Sequence, residues 1–210
     1  MNKITDEIAG LLLAAGTSSR FGEQNKLLVE ISGKPIVQHA AESLVAAGVD
    51  PIVAVVGHEA DAVSMALQET EIEIVENSAF RTGQASSVRV GIAAIDDRSE
   101  AVVIGLGDMP KVTVDTIHTL CRAYHAGKGN ALAAAFDGQR GNPVLFGKQW
   151  FHALRTVEGD VGGRSILRAH GSLVETGDPG VITDVDHPDD LTNFEAGQWS
   201  IHGIDERRRP

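Results

Sequence analysis

Cysteine is almost absent from this chain. Cys121 stands alone, which leaves no partner for an intramolecular disulfide and no basis for a Cys-cluster zinc site. There is no run of 18 apolar residues and no basic-then-apolar leader, so no membrane partner is expected and the cytoplasm is the expected compartment. Basic residues are scarce as well: 18 Lys plus Arg stand against 29 Asp plus Glu, for a net charge of −11. An acidic chain without basic stripes argues against a binder of duplex nucleic acid. Internal repeats, low-complexity tracts and linkers are missing too. With 210 residues the chain reads as one α/β-sized domain over residues 1–200, followed by a flexible tail over 201–210 without core pattern. The remaining composition, 42% hydrophobic and 22% charged, is that of a globular chain with a sizeable core.

Two common phosphate-loop fingerprints are also missing. A Walker A loop needs four residues between its glycines and then Lys-Ser/Thr; here five separate Gly16 from Gly22, and Glu23 follows. A dinucleotide fingerprint needs G-x-G-x-x-G, and only these two glycines are available. What stands in their place is Leu11 to Lys26, LLLAAGTSSRFGEQNK. Ile8, Leu11, Leu12 and Leu13 form an apolar run that predicts a strand buried on both faces. The small side chains of AAGTSS leave backbone N–H groups open, an arrangement that makes an anion-binding nest. Gly16 is expected to take a conformation that a Cβ resists. Arg20 and Lys26 add two cations. Amides and cations after a buried strand suit a polyphosphate; the same residues also suit an ordinary strand-to-helix loop. In so acidic a chain, such a site must be basic locally.

Apolar patterning then alternates between strands and helices. Leu27 to Ile31 is a short apolar stretch, and a helix opens at Lys34-Pro35 with residues 36, 37, 40, 41, 44 and 45 inward, ending at Gly48. Strands follow at Pro51–Val56, Glu71–Val75 (nearer an edge), Ala101–Leu106, Asn130–Phe136, Gly141–Phe146, Leu173–Glu175 and Val181–Val185. Helices are expected around Ala62–Leu67, Gln84–Ile95, Val114–Tyr124, Lys148–Leu154 and Arg164–His170, with a last one starting at HPDDL. This alternation predicts an α/β fold with a doubly wound, mostly parallel sheet. Ligands would bind at the carboxyl edge of its strands.

Acidic residues fall at strand ends. Asp108, in Gly107-Asp108-Met109-Pro110, directly follows a buried strand, where a carboxylate could help hold Mg²⁺ beside phosphate oxygens or could cap a helix. Alternation puts Asp184 and Asp186 of TDVDHPDD on one face; Asp189 and Asp190 read as helix-capping carboxylates. Gly83-Gln84-Ala85-Ser86-Ser87 opens a helix with free N–H groups. Trp150, Phe151 and Trp199 read as core or rim. The eight histidines lack metal-ligand spacing.

LAAGTSSRFG followed by Lys26 resembles the L-A-[AG]-G-x-S-x-R-[MF]-G-x-x-K signature of the MobA-like nucleotidyltransferases, with Lys26 one residue beyond the commonest spacing. GDMP resembles that family's G-D-[MQ]-P metal motif. DVDHPDDL resembles its D-[IV]-D-T-P-x-D-[LY] element, with His187 in place of Thr. Ala15, together with the segments GQASSV, GNPVLF and GDVGGR, is most similar to the branch that cytidylates molybdenum cofactor; its guanylating counterpart usually has Gly at position 15. The resemblance runs from about residue 7 to about residue 197 and implies a Rossmann-like fold of the nucleotide-diphospho-sugar transferase type.

It further implies transfer of CMP from CTP to the phosphate of molybdopterin, with release of pyrophosphate and dependence on Mg²⁺. Arg20, Lys26 and Asp108 would be catalytic. Leu13, Ala14, Ala15, Gly16, Thr17, Ser18, Arg20, Lys26, Gln84, Ser87 and Asp108 would bind nucleotide. Asn142, Pro143, Asp160 and Arg164 would bind the acceptor; for Asp160 and Arg164 a loop-closing salt bridge is the structural alternative. Asp108 and Asp186 would hold the metal. A molybdenum hydroxylase apoenzyme is a further expected partner. The alternatives are GTP in place of CTP, another phosphate acceptor, a non-catalytic maturation factor for molybdenum hydroxylases, and an NAD(P)H oxidoreductase on the same scaffold, for which no dinucleotide fingerprint is present.

Overall fold

In the computed structural model, residues 5, 7–19, 21–22, 24–95, 99–156 and 163–195 are described, the last four of these in backbone only. Arg20, Asp160, Trp199 and the tail lie outside them.

The first strand, β1 (Ile8–Ala14), is buried along its length because it lies mid-sheet with helices on both faces. Its side chains alternate between two cores. Ile8, Leu12 and Ala14 pack with α1 (Ile36–Ala47), α2 (Ala60–Ala66) and α4 (Val114–His125). Ala9 and Leu11 pack with α3 (Gln84–Ala94), α5 (Phe151–Thr156) and α6 (Arg164–His170). Gly91 lets α3 sit close on β1, since a methyl group there would run into the Leu11 side chain.

The other strands of the main sheet are β4 (Ile52–Val56), β5 (Glu73–Glu76), β6 (Ala101–Leu106), β7 (Ala131–Phe136), β8 (Gln139–Gly147) and β9 (Ser172–Glu175). Their order is β5-β4-β1-β6-β8-β7-β9. Among the described strands of this sheet only β8 runs antiparallel to its neighbours, so the expected mostly parallel, doubly wound α/β fold is the one observed. The chain runs from β1 outward to β4 and β5, then returns through α3 to β6 on the other side of β1. That reversal leaves a crevice between β1 and β6, the usual ligand position in such sheets. Ala14 pairs with Val56 and Leu13 with Leu106, so three strands end together at this edge. The reversed direction of β8 brings its first residues, including Arg140 and Asn142, to the same edge.

Three local expectations are corrected. The apolar stretch Leu27 to Ile31 itself holds the end of a 3₁₀ turn (Lys26–Leu28) and then the first strand of a small hairpin of β2 (Glu30–Ile31) and β3 (Lys34–Pro35). Ser32 and Gly33 both have positive φ, 54° and 79°, the geometry of a two-residue hairpin turn, so α1 starts at Ile36 rather than Lys34. Val45 points outward at 36% exposure while Ala47 is buried. Val181–Val185 is not a strand; Pro179–Ile182 forms a 3₁₀ turn started by Pro179 and capped by Asp178. After it, the chain enters α7 (Pro188–Glu195). No helix among the described residues is long and apolar enough to cross a membrane.

Asp178 fastens that C-terminal segment. Its carboxylate accepts from Thr113 N and Oγ1, Thr116 Oγ1 and Gly180 N, at 2.7–3.0 Å, tying the turn to the N-terminus of α4. Because Asp178, Thr116 and Gly180 are buried, Asp178→Ala should lose about 2–3 kcal/mol of stability, measured by urea unfolding.

Candidate active site

The loop after β1 is held by its own side chains. Ser18 has a positive φ of 52°; its hydroxyl donates to Asn25 Oδ1 and accepts from Lys26 N, both at 3.1 Å. Asn25 Oδ1 also accepts from Leu27 N (3.1 Å), and its amide reaches His58 O (3.4 Å) beyond the end of β4. Asn25 is 4% exposed, and this small network fixes the backbone that carries Lys26. Asn25 lies at a variable position of the loop motif, and its one local signal is a polar residue before an apolar turn. Gly16 departs from expectation. The left-handed positions here are Ser18 and Gly22, not Gly16, and a Cβ at Gly16 would meet open space.

Lys26 projects to the carboxyl edge and bridges two acids. Its Nζ is 2.7 Å from Asp108 Oδ2 and 2.7 Å from Asp186 Oδ1. Asp108 follows β6 directly. Asp186 arrives from the C-terminal segment because Val185 N donates to Asp108 O at 3.0 Å. Val185 is fully buried with Phe21, Ile31 and Ile36, so a small apolar cluster joins the first loop to the last. Asp190 accepts from the backbones of Asp186 and His187 at 2.9 and 2.8 Å, the capping role expected of it.

Asp184 completes the group. One oxygen each from Asp108, Asp184 and Asp186 can lie within 4.8 Å of the others. An all-oxygen, anionic donor set is what a hard divalent cation such as Mg²⁺ or Mn²⁺ takes, so these residues fit one. Although Asp184 keeps much of its surface open, the protein around its carboxyl, and then the charges of Asp108 and Asp186, raise its pKa. For Lys26, burial pulls the pKa down, but the two facing carboxylates outweigh it and hold the ammonium above its ordinary value.

Two cavities that share a wall lie next to this group, and a further opening of about 200 Å³ is lined by Ser19, Lys26, Asp108 and Asp186. The first cavity, of about 200 Å³, is lined by Leu13, Ala15, Gly16, Ser18, Lys26, Phe80, Gln84, Ser87 and Asp108. Ser87 and Ser86 hydroxyls accept from buried Asn77 at 3.0 and 2.8 Å, which sets the start of α3 against the loop. Ala14 faces the core and Thr17 is exposed. The second cavity, about 250 Å³, shares Leu13, Gln84 and Leu106 with the first. Arg140, Asn142 and Arg164 line it together with the apolar Val88, Ile104, Val144 and Phe146. Pro143, one position along β8, lines a small cleft of about 20 Å³ with Leu12, Leu44 and Ile117 instead, because successive strand residues face opposite sides.

A model of the MobA-like NTP transferase domain matches residues 10–174. The chain belongs to this family. Nicotine blue oxidoreductase of Paenarthrobacter nicotinovorans is 31% identical over 174 residues, 80% of this chain and 85% of that one. The bifunctional protein GlmU of Halalkalibacterium halodurans is 32% identical over 139 residues, 66% of this chain but only 30% of its own length. Among solved structures, Rv0371c from Mycobacterium tuberculosis in complex with manganese superposes with a TM-score of 0.73 at 25% identity, covering 90% of this chain and 98% of that one. The MobA-like match spans the chain from within β1 to within β9 and so includes the loop motif at the crevice.

Because Asn25 is buried and makes three hydrogen bonds, Asn25→Ala should cost about 2 kcal/mol, read as a lowered thermal midpoint.

Proposed function

We propose that this MobA-like nucleotidyltransferase transfers CMP from CTP to the phosphate of molybdopterin cofactor, releasing pyrophosphate, in the cytoplasm, with a molybdenum hydroxylase apoenzyme as the eventual recipient. The observation that carries this reading is the contiguity of two cavities at the β1/β6 crevice. One is bounded by the β1 loop, Lys26 and Asp108; the other is lined by two arginines and by apolar side chains. A triphosphate suits the first. A flat, phosphate-bearing acceptor suits the second, where Arg140 and Arg164 would meet its anion and Val88, Val144 and Phe146 its ring system.

In this scheme the acceptor phosphate attacks the α-phosphorus in line. It is already anionic, so alignment and charge stabilisation carry the rate and no strong base is required. The amides from Ala15 to Ser18, with Arg20 and Lys26, stabilise the charge growing on pyrophosphate. Gln84 and Ser87 face base and ribose. Asn142, Arg164 and Asp160 orient the acceptor. Asp108 and Asp186, with Asp184 beside them, would hold a divalent ion, Mg²⁺ by preference, which when bound neutralises phosphate oxygens. Local cations matter all the more because the chain carries a net charge of −11, which opposes an incoming polyanion.

A second reading is favoured by the 31% identity to nicotine blue oxidoreductase over most of its length: an oxidoreductase built on this scaffold. One assay pair separates them. Pyrophosphate release is measured with each NTP, with and without purified molybdenum cofactor, beside the consumption of reduced nicotinamide dinucleotide. CTP plus cofactor should give release; release with GTP alone would change the nucleotide, and dinucleotide consumption without release would favour the second reading. Asp108→Asn should fold normally and lose about 10²–10³ of the divalent-dependent turnover; undiminished turnover would remove Asp108 from the chemistry.

A further inference from the structure

We propose that Lys26 and the divalent ion are alternative occupants of Asp108 and Asp186, so that Lys26 restrains metal binding in the nucleotide-free protein and passes to the triphosphate as the ion enters. This inference rests on the metal reading above and adds a role for Lys26 that phosphate binding alone does not contain.

The geometry makes the two occupants exclusive. Lys26 Nζ stands 2.7 Å from one oxygen of each carboxylate. A hard divalent ion takes carboxylate oxygens at about 2.0–2.6 Å. An ion on the same oxygens would therefore face an ammonium at close range, and two like charges in a partly buried site repel strongly. The Lys26 side chain is only 12% exposed, so bulk water does little to relieve that repulsion.

Lys26 also has somewhere to go. Its side chain lines the cavity with Gly16 and Gln84 and also the separate opening of about 200 Å³ shared with Ser19 and Asp186. The backbone at residue 26 is pinned by Ser18 and its neighbour Asn25, but a lysine's four-carbon stem is flexible enough to re-aim its ammonium. A triphosphate in the first cavity would give the displaced ammonium new anionic partners. Metal and triphosphate would then each lower the cost of binding the other, a reciprocal coupling.

The test measures Mn²⁺ binding to the nucleotide-free full-length chain, by electron paramagnetic resonance of the free ion, for wild type, Lys26→Met and Lys26→Gln. Both variants should bind Mn²⁺ about tenfold more tightly than wild type. The gain should persist at about 0.5 M KCl, since contact pairs are screened much less than distant charges. Mn²⁺ should also raise the thermal midpoint of Lys26→Met more than that of wild type. Asp186→Asn provides the control and should weaken binding in every background. Unchanged or weaker binding in both Lys26 variants, with the Asp186→Asn effect intact, overturns the competition but not the metal site. A gain that disappears at high salt overturns it too. Mn²⁺ binding indifferent to Asp186→Asn would overturn the metal reading and this inference with it.

Discussion

The bridge from Lys26 to Asp108 and Asp186 joins three remote stretches of chain at one point. Lys26 and Asp186 are 160 residues apart in sequence, and Asp108 lies between them at the end of β6. For a partly buried ion pair the cost of desolvating the charges offsets much of their attraction, so this contact does not by itself hold the C-terminal segment in place. The apolar cluster does that work: Val185 is fully buried against Phe21, Ile31 and Ile36, and its N–H is bonded to Asp108 O. Hydrophobic burial brings the carboxylates to Lys26, and the charges then set what the site can hold.

The rest of the molecule serves the same edge. The β1/β6 reversal makes the crevice, Gly91 lets α3 close on β1, and the antiparallel β8 delivers Arg140 and Asn142. One alternation rule, applied along β1, feeds two cores on opposite faces. The same rule along β8 turns Val144 toward the larger cavity and Pro143 away from it.

Membership of the MobA-like family gives the fold and the broad chemistry, while the relatives differ in what their names say they do. An oxidoreductase and a bifunctional GlmU both match this chain at about the same identity. The family match therefore leaves the substrate open, and two cavities meet at the crevice. Residues that line these cavities, among them Arg140, Arg164, Gln84 and Phe80, come from three separate parts of the chain.

The sequence by itself determined the buried strands, most helices and the loop that opens the crevice. Periodicity and the LAAGTSSRFG motif are local signals, and local geometry follows from them directly. It misjudged Val181–Val185, where Pro179 and the Asp178 cap override an apolar pattern, and Gly16, whose backbone needs no special freedom. It passed over Asn25 and Asn77, whose importance lies in partners far from any motif. Only the tertiary structure decided that Asp184 joins Asp108 and Asp186, that Lys26 stands between two of them, and that Pro143 faces the other side of the sheet. These depend on how separate segments pack around β1 and Val185, and that packing is a property of the whole core.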